Sequence, residues 1–383
     1  MTMQSSVETL ARLVAFPTVS RDSNDAFTRY AAERLTAAGG RVRVLPGDLA
    51  GKTNLIASFG PDGEGGIVLS AHSDVVPVDG QEWASDPFAL TEHDGRLYAR
   101  GSSDMKGFIA CMLTAAERLR GVRLVRPLHI AISHDEEIGC VGVRSMLKRL
   151  ADEGFRAAGC IVGEPTGLTI ATGHKGKVNG QISCLGEAAH SANPTLGCNA
   201  INLAARMIGE TEALQEWLAQ HGAHDAAYSV PYSTVHVGTI AGGTALNIVP
   251  DSCNIRFEIR LLPGDSPDDL LARLTARGQE IAAAARAGGR TAGIEISVQN
   301  AYPGLQTEED APIARLAKAA GASVAGKLSF GTEGGLFNDM LGLPTVVCGP
   351  GSIDRAHKPD EFITRDELAA CDGFLDRIVS SLG

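Results

Sequence analysis

The stretch PLHIAISHDEEIGC (127–140) runs from apolar residues of strand length directly into the consecutive acids Asp135, Glu136 and Glu137. A near-continuous apolar run is a strand buried on both faces. Like charges this close repel and raise one another's pKa, so a core strand that delivers them together needs a reason. Two other segments share the form. GIVLSAHSDVVP (66–77) and GCIVGEP (159–165) are apolar runs that also lead into histidine or carboxylate residues. Between them MKGFIACMLTAAERLR (105–120) and GVRSMLKRL (142–150) carry helical periodicity. Apolar strands alternating with helices predict an α/β sheet covered on both faces.

Working outward, residues 5–15 and 25–38 predict helices, and 41–45 and 53–59 predict strands. Near residue 175 the pattern changes. KGKVNGQISCLGE (175–187), STVHVGTIAGG and SCNIRFEIRLLP alternate polar and apolar residues, as strands with one wet face do. With a helix over 198–219 they predict an α+β unit, an antiparallel sheet with helices on one side. GIEISVQNAYPGLQT (293–307) either ends this insert or begins the return. From about 310 the α/β pattern resumes with a helix at 311–320, a GTEGG loop, the strand PTVVCGP and a helix near 365–381. The expected division is an α/β part at 1–175, an insert at 176–290 and a second α/β part at 291–383.

The chain has 383 residues, 44% of them hydrophobic, and a net charge of -11. That charge argues against nucleic acid, whose binding needs Lys and Arg to neutralise phosphates. The basic stretch ERLRGVRLVR (117–126) reads as a solvated helix end and loop. The opening MTMQSSVETLARLVAFPTVS lacks a basic segment followed by an apolar one, so no secretory leader is expected. No apolar run approaches membrane-spanning length. The 8 cysteines are scattered without a C-x-x-C pair, which predicts reduced, mostly buried thiols and a cytoplasmic protein.

In an open α/β sheet, ligands sit outside the carboxyl ends of the strands. Those ends supply His72 and Asp74, then Asp104 in ARGSSDMKG, then His134 with the acids 135–137. Glu164 follows in VGEPTG, and Asp354, His357 and Asp360 in GPGSIDRAHKPDEF. Singly each is ordinary: a turn residue, a helix N-cap at Asp104, an exposed loop histidine at His357. Together at these junctions they point to a site. Imidazoles and carboxylates without thiolates suit Zn²⁺ and related divalent ions. The set is too large for one tetrahedral ion and suits two ions sharing a bridging carboxylate. Asp74, on the same strand face as His72, is placed to hold the other ring nitrogen. Glu136 and Glu137 project differently, so one can bind metal while its neighbour acts as general base. A cation makes such a cluster of acids favourable.

The segments SAHSDVVP, GSSDMKGF, HDEEIGC, GEPT, GEAAHSANPTLGCNAI and GPGSIDRAHKPDEF together resemble the dimetal aminoacylase and deacylase family of metallopeptidases. That family includes acetylornithine deacetylases, succinyl-diaminopimelate desuccinylases and carboxypeptidase-type relatives. The resemblance spans nearly the whole chain. It implies a zinc-exopeptidase-like catalytic domain (1–175 and 291–383) interrupted by an α+β lid and dimerisation domain (176–290). It implies that His72, Asp104, Glu137, Glu164 and His357 hold two divalent ions, Zn²⁺ first and Co²⁺ as the alternative. Asp104 would bridge, His72 and Glu164 would complete one ion, and Glu137 and His357 the other. Glu136 would be the general base and Asp74 would orient His72. His190 matches a lid histidine that stabilises the oxyanion, often in the partner subunit. Asn247 and Arg260 match lid residues that hold the substrate carboxylate. A homodimer acting on a small N-acyl amino acid is implied, with no nucleic acid or membrane partner.

Within the family, HKGKVNG, LGCNAI, FGTEGGLFN and GPGSIDRAHKPDEF look most like the acetylornithine deacetylases. That implies hydrolysis of N-acetyl-L-ornithine to L-ornithine and acetate, in arginine biosynthesis. Glu333, on the GTEGG loop, would read the substrate's ammonium group. The chain departs from the family here, because an Ala-Pro pair is expected after that glutamate. The same ligands would serve a desuccinylase, another aminoacylase, a carboxypeptidase or a dipeptidase. A nucleotide-binding reading rests on GDLAGKT (47–53), which is one residue short between Gly47 and Gly51 for a phosphate-binding loop. A non-catalytic binder would need a lost ligand or base, and none is missing. No G-x-S-x-G elbow supports a serine hydrolase.

Overall fold

The structure, a computed structural model, describes residues 5–324 and 326–383. The first residues of the segment read above for a leader therefore lie outside the described ones. The chain divides into two units, Met1–His174 with Leu305–Gly383, and Lys175–Gly304.

The first unit is built on a six-stranded sheet. Its spatial order is Arg41–Pro46, Thr53–Phe59, Leu128–Ser133, Ile67–His72, Gly159–Pro165 and Thr345–Gly349. The last four are mutually parallel, and the first two form an antiparallel edge. Every residue of Ile67–His72 and of Leu128–Ser133 is buried, as their apolar sequences require. From Ile67–His72 the chain runs through the helix Lys106–Arg118 to the neighbour on one side, Leu128–Ser133. It then crosses through Val143–Asp152 to the neighbour on the other side, Gly159–Pro165. That reversal opens a crevice at the carboxyl ends of these strands, where α/β sheets bind ligands. Helix Lys106–Arg118 packs tightly here. A Cβ on Gly163 would lie 2.0 Å from Phe108 Cδ1, so glycine lets helix and strand approach just before Glu164 emerges.

The second unit is a four-stranded antiparallel sheet, ordered Thr234–Gly242, Ser252–Leu261, Gly176–Leu185, Gly293–Tyr302. Buried and half-buried residues alternate along Gly176–Leu185. Its apolar face, with Val178, Ile182, Ile255 and Phe257, packs against Leu203, Met207 and Leu214 of helix Ala200–His221 and Leu270 and Leu274 of helix Pro267–Arg286.

Three features differ from the sequence reading. Gly293–Tyr302 pairs with Gly176–Leu185, so it completes the insert's sheet, and the return falls at 304/305 instead of 290/291. The alternation in GIEISVQN belongs to a sheet with one wet face. Helix Pro267–Arg286 was not anticipated, although its start is signalled by the Ser266 cap, Pro267 in the first turn, and Asp268 and Asp269. Glu333 is not on an open loop. It is the N-cap of helix Gly334–Leu341 and is 1% exposed. Two glycines argue against helix by propensity, but close packing decides: Gly335 N donates to His174 Nε2 at 3.2 Å. Among the described residues no helix is long and apolar enough to cross a membrane, and all 8 cysteines are free and buried.

Candidate metal centre

The switch-point crevice gathers the residues expected to bind metal. His72, at the end of its strand, and Glu164, near the end of Gly159–Pro165, are buried. With Asp104 they offer ligand atoms that all lie within 4.8 Å of one another. Asp104, Glu137 and His357 form a second group with the same property. Asp104 belongs to both. His72 Nε2 is 3.2 Å from Asp104 Oδ1, and His357 Nε2 is 3.3 Å from Asp104 Oδ2. His357 Nε2 also lies 3.0 Å from Glu137 Oε2.

The donor set fits divalent metal. Glu164 Oε1 is buried, has no hydrogen-bond partner and sits 3.9 Å from His72 Nε2. An unpartnered buried carboxylate oxygen is costly, and a cation between these groups would satisfy it.

The electrostatics show the same demand. Burial, resisted by His72 and reinforced by Glu137 and Glu333, pushes Glu136 up to about 8. Burial and the Asp104 charge push Glu137 up to about 7, and they raise Glu164 well above the usual carboxylate range. Burial opposes ionisation of Asp104, but His357 and His72 hold it below the ordinary value. Hydrogen bonds to Asp104 and Glu137 push His357 up to about 10. A bound cation would offset the carboxylate repulsion that these shifts express.

At His72 the Asp74 carboxylate is not the nearest partner, unlike the expectation from the sequence. His72 Nδ1 is 2.9 Å from the Asp74 backbone carbonyl and 3.6 Å from Oδ1. The carboxylate instead accepts the backbone N–H of Glu136 at 3.0 Å, that of Glu137 at 3.2 Å and the Ser20 hydroxyl at 2.7 Å. Asp74 therefore ties the acidic turn to the strand that carries His72. Glu136 belongs to neither ligand group, and its Oε1 accepts from Cys140 Sγ at 3.1 Å.

Glu361 escaped the sequence reading. Its Oε1 accepts the backbone N–H of Ser103 at 2.8 Å and of Asp104 at 3.0 Å, while Oε2 pairs with buried Arg100 at 2.7 Å. It fixes the backbone beneath the shared aspartate. The acid-rich segment PDEF gave no sign of which carboxylate would turn inward. Some strand-end candidates stay outside both ligand groups. His134 packs on Asp135, Asp360 accepts from Ala84 N at 2.9 Å, and Asp354 is exposed.

Glu333 is held by the hydroxyls of Ser133 and Ser70, the latter at 3.3 Å. Burial raises its carboxyl above the ordinary range, against the Ser133 hydrogen bond and the His72 charge.

His190, Asn247 and Arg260 belong to the second unit. The backbones around His190 and Asn247 pair: Ser191 N donates to Asn247 O at 3.0 Å and Val249 N to Ala189 O at 2.8 Å. Both side chains are exposed. Ala192 N donates to His190 Nδ1 at 3.0 Å, so a neutral imidazole carries its proton on Nε2, where it can donate to a substrate oxygen. Arg260 is half-buried, and its Nε donates to Glu258 Oε1 at 3.0 Å.

Metal affinity should depend on pH with a definite sign. Glu137 and His357 must each lose a proton to act as ligands. Co²⁺ binding to the metal-stripped protein, followed by visible absorption, should tighten as pH rises from about 6 to about 8. Affinity independent of pH over that range would contradict the assignment.

Comparison with known proteins identifies the family. The sequence pattern of peptidase family M20/M25/M40 matches residues 68–381, a span holding both ligand groups. An acetylornithine deacetylase of Pasteurella multocida (strain Pm70) is 34% identical, over 98% of this chain and 97% of its own. One of Myxococcus xanthus is 37% identical, over 97% of this chain and 96% of its own. The fold is similar to that of an M20 family metallo-carboxypeptidase from Sulfolobus solfataricus, with a TM-score of 0.80 at 21% identity over 98% of this chain and 99% of that one. The resemblance carried by the motifs and the expected α/β fold are both borne out. The chain belongs to peptidase family M20/M25/M40 and is a hydrolase of amide bonds.

Proposed function

We propose that the chain is a dimetal deacylase that hydrolyses N-acetyl-L-ornithine to L-ornithine and acetate, in cytoplasmic arginine biosynthesis. The observation that carries the metal assignment is the sharing of Asp104 by two ligand groups, with Glu136 beside them and in neither. The substrate assignment is supported by relatives named acetylornithine deacetylase at 34% and 37% identity over nearly the full length.

His72, Asp104 and Glu164 would hold one ion, and Asp104, Glu137 and His357 the other. When bound, Zn²⁺ or Co²⁺ supplies Lewis acidity toward water and the acyl carbonyl. Glu136 takes a proton from the attacking water as the new C–O bond forms. It returns that proton to the leaving amine as the C–N bond breaks. The His190 Nε2–H donates to the developing oxyanion. Arg260 and Asn247 hold the substrate carboxylate, which must compete with Glu258 for the Arg260 guanidinium. Glu333, screened from solvent, receives the distal ammonium of the substrate.

The insert acts as lid and dimer contact. Support comes from Thr234–Gly242, an edge strand of its sheet, and from Ile240 and Leu246, which are 50% and 101% exposed. Sedimentation equilibrium should give twice the 39.9 kDa chain mass; a monomer at micromolar concentration would refute this part.

The direct test is hydrolysis by metal-stripped protein with and without Zn²⁺ or Co²⁺. The panel is N-acetyl-L-ornithine, N-succinyl-diaminopimelate, N-acetyl-L-methionine and a dipeptide. Activity should require metal and be greatest on N-acetyl-L-ornithine. A preference for another compound would discard the substrate and keep the site, and no metal-dependent activity would discard both. Glu136→Ala should lower kcat by ~10²–10⁴ with two ions still bound, and a near-normal kcat would remove Glu136 from the role of base. Glu333→Gln should raise KM for N-acetyl-L-ornithine ~10-fold or more, the worth of a charge-assisted hydrogen bond. It should leave N-acetyl-L-methionine nearly unaffected, and equal effects on the two would contradict an ammonium-reading role.

A further inference from the structure

GDLAGKT (47–53), the segment closest to a phosphate-binding loop, is not used as one. Its lysine turns inward: Lys52 is 6% exposed, and its ammonium lies 2.5 Å from both Asp135 Oδ1 and the Ser20 carbonyl. Asp135 itself is 1% exposed and holds a left-handed backbone at φ +54°. Non-glycine residues adopt that conformation at a cost, and it persists where surroundings impose it.

These contacts close a ring. Lys52 binds the Ser20 carbonyl, and the Ser20 hydroxyl donates to Asp74 Oδ2 at 2.7 Å. Asp74 accepts the backbone N–H groups of Glu136 and Glu137. The chain then leads back one residue to Asp135, which pairs with Lys52. Asp74 grips the turn at Glu136 and Glu137, and Lys52 grips it at Asp135, the residue before them.

A buried ion pair is a poor way to gain stability, since an apolar pair of like volume often does as well. Its retention here, beside a strained turn that presents both acids, calls for a positional role. We infer that Lys52 is a positioning residue, which through Asp135 fixes the turn so that Glu137 meets metal and Glu136 stands clear of it. This rests on the dimetal reading above.

The test is Co²⁺ titration of metal-stripped wild type and Lys52→Met, followed by visible absorption, with kcat measured at saturating Co²⁺. Wild type should bind two ions. In Lys52→Met the ion that depends on Glu137 should bind ~10–100-fold more weakly, the usual effect of losing a group that supports a ligand. The ion on His72 and Glu164, held by other strands, should change by no more than about 3-fold. kcat on N-acetyl-L-ornithine should fall ~10-fold or more while KM stays within about 3-fold, because Glu136 shifts. Thermal unfolding would verify that the compared protein is folded. If Lys52→Met does not fold, Asp135→Asn carries the test with the same sign of effect. A variant with both Co²⁺ affinities and kcat per loaded chain within 2-fold of wild type would overturn the inference and leave the dimetal reading intact. A wild type that binds no Co²⁺ would overturn both.

Discussion

Asp104, Glu137 and Glu164, with Glu136 beside them, repel one another unless positive charge lies among them. Inside a protein that repulsion is stronger than in water, because the medium screens it less. The structure meets it with His72, with His357 and with raised carboxyl pKa values. The remaining deficit shows in Glu164 Oε1, a buried oxygen with no partner. Two divalent cations sharing Asp104 would remove both the repulsion and the orphan. Much of the first unit can be understood as the framework that holds these acids together.

That framework works through the backbone. Parallel strands with reversed connections bring the ends of Ile67–His72, Leu128–Ser133 and Gly159–Pro165 to one edge. Carboxylates then fix main-chain donors at the points where the candidate ligands depart. Asp74 holds Glu136 and Glu137, and Glu361 holds Ser103 and Asp104. Each is a charge-assisted hydrogen bond in a buried place, stronger than a neutral one. Freezing the turn before binding reduces the ordering that metal or substrate would otherwise have to impose.

The α/β core and the candidate ligand set were legible in the sequence for the same reason. Candidate ligands at the carboxyl ends of buried strands follow immediately after apolar runs, so His72, the acids at 135–137 and Glu164 announce themselves. What stayed hidden depends on contacts between distant positions. Glu361 reaches Asp104 from 257 residues away, and Lys52 reaches Asp135 across 83. Nothing local distinguishes either from a surface charge. Gly334 and Gly335 disguised a helix, because the packing that permits it comes from His174 and Leu305. Gly293–Tyr302 was ambiguous because an alternating strand reveals its wet face but not its partner. The roles of His190, Asn247 and Arg260 came from family resemblance alone, since an exposed histidine or a half-buried arginine carries no such label.

Anomalous X-ray scattering at the zinc edge, from crystals of metal-loaded protein, tests the shared aspartate most directly. Two peaks are predicted, one on each side of the Asp104 carboxylate, the first against His72 and Glu164 and the second against Glu137 and His357. A single peak, or peaks that leave Asp104 outside the coordination of either ion, would contradict a dimetal centre bridged by that residue.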